Sequence, residues 1–197
     1  MKSNLKIAVR FTLITTVLLG IIYPLVITAF AHLTMRNNAD GQLITRDGQV
    51  IGSAIIGQSF AGDTYFHGRP SEAGNGYDAA NSSGSNMAQS NKKLVDRIEG
   101  DVATYQKTNP GKPVPVDLVT ASGSGLDPDI TPAAALYQVH RVAAARHLSD
   151  DTVDKLVRAH IQGRQFGILG EPRVNVLELN LALDALKPQN APQPPGA

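Results

Sequence analysis

Cysteine is absent from all 197 residues of the sequence. Its absence excludes disulfide bonds and thiolate-ligated metal sites. It does not identify the compartment, because an oxidising environment permits disulfides without requiring them. The five histidines show no metal-site spacing either, since His140 and His147 lie seven positions apart, roughly 10 Å along a helix. We therefore expect no resident metal. A chain of this length accommodates one domain with an appendage.

Negative charge is missing from the N-terminal part of the chain. Lys2, Lys6 and Arg10 are the only charged side chains before Arg36. From Arg36 onward the chain carries 15 basic and all 17 acidic side chains, a net charge of −2. Such a balance offers no basic surface for nucleic acid. A nucleic-acid partner is therefore not expected.

The N-terminal part also contains a long uncharged run, from Phe11 to Met35. As a helix, residues 11–33 would span roughly 35 Å at about 1.5 Å per residue, enough to cross a hydrocarbon core of about 30 Å. A cleaved signal peptide is the rival interpretation, because AFA at residues 29–31 fits the cleavage pattern. The run is longer than a signal h-region of about 7–15 residues, however, and it continues up to that site. The sequence therefore predicts an uncleaved transmembrane helix in contact with membrane lipid.

Basic residues near the two ends of this helix predict its orientation. Lys2, Lys6 and Arg10 lie within the short N-terminal segment, residues 1–10, and only Arg36 and Arg46 follow on the far side. The excess favours a cytoplasmic N-terminus. We therefore expect a single-pass protein of the bacterial plasma (inner) membrane with its body outside the cytoplasm.

Pro24 lies inside the predicted transmembrane helix, where it removes one backbone hydrogen bond and crowds the carbonyl four residues earlier. Residue 20, at that carbonyl, is glycine. The pair is either a tolerated kink or a packing notch against a partner helix. Gly20 and Pro24 are therefore candidate partner-docking residues.

Residues 36–187 are predicted to form an α+β extracytoplasmic domain, followed by a disordered tail at residues 188–197. The pattern predicts a hairpin that turns at Asp47-Gly48, short strands at residues 64–70 and 114–122, and a long functional or mobile loop at residues 71–90. Four helices are predicted to follow. The first covers Leu94–Tyr105 and is ended by Asn109, the second is capped by Thr131 and begins at Pro132, the third is capped by Ser149 and stops at Gly163, and the fourth runs from Asn175, with Glu178 three positions on, through Leu186.

A glycine-serine loop precedes the helix at Pro132. Ser122, Gly123, Ser124 and Gly125 follow a predicted strand, an order of parts that holds phosphate in many proteins. The loop has no Walker lysine, however, and aspartates follow it closely. G-x-S-x-G also fails at both serines, so no catalytic constellation is expected. Either the loop binds nucleotide, or it is a tight connection that serves packing or partner docking.

Four side chains in and after this loop are candidate docking residues. Leu126 and Asp127 continue the loop, and Asp127-Pro128 is typical of a turn. Arg141 and Arg146 extend from the following helix, either as anion clamps or as ion-pair partners.

Seven strings in this chain together resemble the KdpC family, the C subunit of the bacterial potassium-transporting P-type ATPase complex. They are YPL within the apolar run, GSAIIGQSF, YFHGRPS, SGSN, VTASGSGLDPDITPAAA, RVAAAR and VNVLELNLALD. The resemblance extends from the predicted transmembrane helix to about Leu186. Departures are small: Ser83 stands where the family often has glycine, His140 where proline is common, and Met87-Ala88 lies in a variable stretch.

The resemblance implies a non-catalytic accessory subunit of an ATP-driven, high-affinity potassium import complex. Its partners would be a channel-like potassium-binding subunit, the P-type ATPase subunit and a small single-span subunit. It would hold no cofactor of its own, because ATP, Mg²⁺ and K⁺ would be bound by other subunits. The alternative implied by the family is a catalytic chaperone that raises the ATP affinity of the ATPase subunit, either with or without binding nucleotide itself at Ser122–Gly125.

Overall fold

The computed structural model describes residues 2–186, so the predicted tail at residues 188–197 lies outside the described residues. Contacts between residues divide the chain into two compact units, the first ending at Ser53 and the second beginning at Ala54. Both helices and strands are present, as the sequence predicts.

The first unit begins with the apolar helix. It consists of α1 (Lys2–Val17), one π-helical turn (Leu18–Ile22) and α2 (Tyr23–Thr34). Together these form a helical stretch from Ser3 to Thr34 that is long and apolar enough to cross a membrane, and none of it is buried within the protein. This agrees with the predicted single N-terminal anchor.

A short helix and a hairpin complete the first unit: α3 (Arg36–Ala39), β1 (Leu43–Arg46) and β2 (Gln49–Ser53). The strands pair antiparallel with Arg46 opposite Gln49. Asp47 and Gly48 both have positive φ, 52° and 78°, as a two-residue type I′ turn requires. The predicted hairpin is confirmed.

The second unit contains four longer helices and a small antiparallel sheet. The helices are α4 (Lys92–Thr108), α5 (Pro132–Arg146), α6 (Asp150–Ala159) and α7 (Val176–Ala185). The strands are β3 (Asp129–Ile130), β4 (Ile161–Gln162) and β5 (Arg173–Asn175), in the order β3-β5-β4. Short 3₁₀ turns occur at Ala79–Asn81 and Val116–Leu118.

The predicted N-caps of these helices are confirmed. The side-chain oxygens of Thr131, Ser149 and Asn175 each accept a hydrogen bond from the backbone N–H three residues on, at 3.2, 3.2 and 3.1 Å. Each bond satisfies a donor that the first turn would otherwise leave without a partner. The helix capped by Ser149 ends at Ala159, before the predicted stop at Gly163, because β4 begins at Ile161.

Two predicted strands are wrong. Residues 114–122 contain the 3₁₀ turn Val116–Leu118 instead, with the N–H of Leu118 donating to the carbonyl of Pro115. Prolines at 113 and 115 lack the N–H groups that a strand ladder needs, which explains the outcome. Residues 64–70 also form no strand: Thr64 lies in a turn and Tyr65 in a bend, and side chains from two helices bind the backbone, as described below.

The hydrophobic core lies where α5, α6 and α7 meet the small sheet. Its fully buried side chains include Val142, Val153, Val157, Val174, Leu179 and Leu183, together with Phe66 and Leu118 from the irregular segments. The helical spacing of these residues on α6 and α7 places them on one face of each helix. The core therefore fixes α5 and α7, the two helices that hold the candidate site.

Candidate functional site

Residues 62–71, here called the tethered segment, lie at the centre of the candidate site. The side-chain amide of Asn180, on α7, accepts from the N–H of Phe66 and donates to its carbonyl, both at 2.9 Å. Gln138, on α5, does the same for His67 at 2.8 and 3.1 Å. Buried backbone groups require such partners. Two side-chain amides therefore take the place of the neighbouring strand that a strand at residues 64–70 would need.

Arg141 and Arg146, predicted as anion clamps or ion-pair partners, also bind this segment. The buried guanidinium of Arg141 donates to the carbonyls of Asp63 and Tyr65 at 2.8 and 2.9 Å and to Oε1 of Gln138 at 2.7 Å. Its contacts are mainly with carbonyl oxygens, since the nearest carboxylate oxygen, on Asp63, is 3.8 Å away.

Arg146 makes the ion pair that one of the two interpretations predicts. Its Nη2 lies 2.7 Å from Oδ1 of Asp184, and its Nε donates to the carbonyl of Thr64 at 2.6 Å. The guanidinium also lies 4.7 Å from the centroid of the Tyr65 ring, within cation–π distance. These contacts border an open cavity of about 360 Å³.

Arg69 joins the tethered segment to the loop before α5. Its Nη1 pairs with Oδ2 of Asp127 at 3.1 Å, and the guanidinium donates to the carbonyls of Thr120 and Ala121 at 3.3 Å. The hydroxyl of Tyr77 donates to the carbonyl of Arg69 at 2.6 Å. Burial, followed by Tyr105 and Asp127, raises the pKa of Tyr77 to about 12, so this donor keeps its proton at physiological pH.

The glycine-serine loop Ser122–Gly125 supports the long loop at residues 71–90. The carbonyl of Ser124 accepts from the N–H of Ser83 at 3.0 Å and from Oγ of Ser82 at 2.9 Å. The carbonyl of Gly125 accepts from Oγ of Ser71 at 2.6 Å. Loop 71–90, predicted to be functional or mobile, is thus bound to the protein through polar contacts.

A loop that binds an anion does so with free backbone N–H groups. Two of the N–H groups in and after this loop already donate to other atoms of the chain. Gly125 donates to the carbonyl of Ser122 at 3.3 Å, and Leu126 donates to Oγ of Ser124 at 3.1 Å. Gly123 and Ser124 are exposed at the tip, whereas Ser122 and Gly125 are buried. Nucleotide binding at Ser122–Gly125 stays a prediction.

A second open cavity, of about 320 Å³, lies beside the tethered segment. Arg69, Glu72, Arg97 and Asp101 contribute balanced charges to its lining, which also includes His67. Burial and then the charge of Arg141 lower the pKa of His67, while burial raises the pKa of Asp101. A balanced lining does not favour a polyphosphate.

The helix of the first unit places Gly20 and Pro24 around its π turn. The N–H of Tyr23 donates to the carbonyl of Leu18, five residues back, so the helix widens immediately before the proline ring. A Cβ added at Gly20 would meet only Cγ2 of Thr16, at 4.0 Å. Nothing nearby in the chain therefore requires glycine at this position.

Sequence reasoning missed the residues that organise this site, above all Arg69, Gln138 and Asn180. One signal was available: Asn180 follows Val176 by four positions, within the apolar face that also includes Leu179 and Leu183. An amide within such a face indicates a buried hydrogen-bond partner. The sequence does not indicate that this partner is a backbone 114 residues away.

Comparison with known proteins connects this architecture with one family. The family described as "K+-transporting ATPase, c chain" matches residues 5–185. A potassium-transporting ATPase KdpC subunit from Koribacter versatilis is 55% identical over 193 residues, covering 98% of this chain and all of the relative. The corresponding subunit from Acidobacterium capsulatum is 55% identical over 184 residues, covering 93% and 99%, and that from Rhodopseudomonas palustris BisB5 is 53% identical over 197 residues, covering 94% and 98%. A family match across both compact units, with relatives of the same length, leads to one conclusion: this chain belongs to the KdpC family.

Proposed function

We propose that this chain is a non-catalytic accessory subunit of an ATP-driven potassium import complex. The observation that carries the proposal is the match to named KdpC subunits along the whole chain, apolar helix included. The chain stabilises or assembles the channel-like and ATPase subunits and contacts the small single-span subunit. ATP, Mg²⁺ and K⁺ are bound by those other chains.

The internal contacts of the second unit support a structural role. Three arginines of the candidate site donate hydrogen bonds to backbone carbonyls of the same chain: Arg69, Arg141 and Arg146. Charge-assisted bonds of this kind are short and directional, so they make the irregular segments rigid. A rigid surface is suited to docking, because little conformational entropy is lost on binding.

The apolar helix supports membrane anchoring, with the N-terminus in the cytoplasm and the body outside. Gly20 offers an open position for close approach of a partner helix. Leu126, Asp127, Arg141 and Arg146 support the docking surface of the body, since they fix the loop before α5 and the tethered segment in place.

Co-purification from mild detergent tests this proposal. The chain is tagged at its C-terminus and expressed with the other subunits of the complex, and potassium-stimulated ATP hydrolysis is measured with and without it. We expect the other subunits to co-purify and the activity of the assembled complex to fall when the chain is deleted. Recovery of the tagged chain alone would contradict an accessory role.

The alternative function is that of a catalytic chaperone for the ATPase subunit. The exposure of Gly123 and Ser124 at the tip of the glycine-serine loop favours it. In that case a fluorescent ATP analogue would bind the purified full chain, and the bulky side chain introduced by Gly123→Leu would weaken binding. If the analogue does not bind at millimolar concentration, direct nucleotide binding is excluded and only an allosteric effect on the other chain is left.

A further inference from the structure

The backbone carbonyl of Leu19, near the middle of the apolar helix, lacks a hydrogen-bond partner among residues 2–186. An α-helix would direct the N–H of Tyr23 at this carbonyl, but that N–H donates to the carbonyl of Leu18 because the turn is π-helical. The next donor, in a π-helical pattern, would be residue 24, which is proline and has no N–H. The carbonyl of Leu19 therefore loses both of the donors that the helix would offer it.

Among the described side chains of this helix, none replaces these donors. The hydroxyl of Thr15 donates to the carbonyls of Phe11 and Thr12, at 2.8 and 3.1 Å. A threonine hydroxyl in a helix binds the carbonyl three or four residues before it, so that of Thr16 is also directed away from Leu19. A donor for this carbonyl has to come from outside the chain.

The depth of this carbonyl in the membrane makes an absent partner costly. The helical stretch Ser3–Thr34 has its midpoint between residues 18 and 19, and the uncharged run Phe11–Met35 has its midpoint at residue 23. Four residues span about 6 Å along a helix, so on either measure the carbonyl lies close to the centre of a hydrocarbon core about 30 Å thick. Lipid chains have no hydrogen-bond donor, and backbone groups at this depth are satisfied by protein or by ordered water.

The helix surface beside this carbonyl is open. Gly20 follows Leu19 directly, and a Cβ added there would meet only Cγ2 of Thr16, at 4.0 Å. Thr12, Thr16 and Gly20 are spaced four residues apart, which places them on one face of the helix. Small residues on one face allow two helix backbones to approach closely. A side chain on a neighbouring helix therefore has access to the carbonyl between residues 19 and 20.

The size of this opening identifies the kind of partner. Two copies of this chain would cross the membrane in the same orientation, so residues at the same depth would face each other. A second copy would bring residues 20–24 to the level of the carbonyl, and of these only Tyr23 has a side-chain donor. Its ring is too large to sit between two backbones that approach closely at Gly20. The opening therefore suits a short side chain on a different helix.

We propose that a short hydroxyl or amide side chain, on a transmembrane helix of another subunit of the complex, donates a hydrogen bond to the carbonyl of Leu19. The π turn and Pro24 leave the acceptor free, and Gly20 gives the donor access to it. This inference rests on the proposed function, since it needs a partner subunit. It goes beyond close packing at Gly20, because it fixes the chemistry that the partner helix presents.

Photo-cross-linking identifies what covers this face of the helix. A diazirine-bearing analogue of leucine replaces Thr16 in the full chain, which is expressed with the other subunits and irradiated in the membrane. We expect attachment to a transmembrane segment of another subunit, with serine, threonine, asparagine or glutamine within one turn of the attached residue. The same analogue at Leu18, about 200° around the helix from Thr16, should not label that segment. Attachment to a second copy of this chain, to a segment without such a side chain, or to lipid alone would overturn the proposal.

Pro24→Ala separates a hydrogen bond from packing alone. Alanine restores the N–H at residue 24, so the helix supplies its own donor and the carbonyl of Leu19 no longer needs one from outside. In the wild-type chain, an apolar replacement of similar size at the identified donor should lower co-purification from mild detergent at least fivefold. In Pro24→Ala, the same replacement should change that chain's own recovery less than twofold.

The outcomes for the proposed function and for this inference are separable. If the wild-type chain does not co-purify with the other subunits, the proposed function fails and the inference fails with it. If the wild-type chain co-purifies but the donor replacement lowers recovery equally with proline and with alanine at residue 24, the inference alone is overturned.

Discussion

At Gly125 three parts of the polypeptide come close together. A Cβ added there would lie 2.6 Å from the carbonyl oxygen of Ser83 and 2.7 Å from the N–H of Ala73, and φ is +66°. Backbone atoms cannot move away as the end of a flexible side chain can. The second glycine of the glycine-serine loop is therefore required by packing, whatever else the loop binds.

Gly125→Ala should lower the free energy of unfolding by about 2–4 kcal/mol, because it combines left-handed strain with overpacking against backbone. Urea-induced unfolding of the full chain in detergent measures this. Gly123→Ala is the matched control: a Cβ there has no neighbour within 4 Å, so its effect should stay within about 0.5 kcal/mol. Equal effects at the two glycines would contradict the packing explanation.

His67 makes stability depend on pH. Burial, followed by the charge of Arg141, lowers its pKa in the folded chain below the ordinary value of 6.5. As the pH falls through about 6.5, the unfolded chain takes up a proton that the folded chain does not, so stability is lost in that direction. We expect the urea midpoint to decrease between pH 7.5 and pH 5.5, and His67→Gln to reduce that decrease.

The same replacement at the exposed His147 serves as the control for this titration. If it flattens the curve as much as His67→Gln does, the pH dependence does not originate at the tethered segment.

The backbone of the tethered segment depends on side chains for its hydrogen bonds. Asn180→Leu keeps the branched shape of the side chain but removes both hydrogen-bond partners of Phe66. The buried N–H and carbonyl of Phe66 are then left without hydrogen bonds, at a cost of about 3 kcal/mol. Urea-induced unfolding is the measurement. Gln106→Leu, the same kind of change at an exposed position of α4, should have an effect below about 0.5 kcal/mol.

The apolar helix of the first unit provides a test of partner contact at Gly20. Gly20→Leu meets no obstacle within the chain and improves helix propensity, so the isolated chain should be at least as stable as the wild type. If Gly20 faces a partner helix, the added bulk should lower recovery of the other subunits at least tenfold in mild detergent. Ala29→Leu adds bulk on a different side of the same helix and should co-purify normally. Normal recovery of Gly20→Leu would contradict the packing-notch interpretation.

Local sequence signals predict the helices and the hairpin of this fold better than they predict the contacts of the candidate site. The hairpin at Asp47-Gly48 and the helices capped by Thr131, Ser149 and Asn175 depend on turn and cap chemistry within a few residues, so the sequence predicts them. The three strands of the small sheet are two or three residues long and show no periodicity. The partners of Phe66 and His67 lie 114 and 71 residues away, and no local pattern encodes such distances.

At the scale of the whole molecule, the charge asymmetry predicts the membrane topology. Lys2, Lys6 and Arg10 precede the apolar helix, and the net charge of the remainder is −2. A reporter enzyme that is active only outside the cytoplasm, fused after Ala197, should therefore be active. The same reporter fused to a chain with Lys2, Lys6 and Arg10 replaced by glutamine should lose part of its activity. Labelling of the body from the cytoplasm alone would contradict this topology.

The dependence of the tethered segment on α7 also sets an order of events during biosynthesis. Phe66 is synthesised 114 residues before Asn180. At translation rates of about 5–20 residues per second, its backbone waits on the order of 10 s for its partner. The second unit therefore cannot complete its fold progressively from the N-terminus. The tethered segment acquires these partners only when α7 has been made, so we expect shorter nascent chains to expose its backbone to aggregation and proteolysis until then.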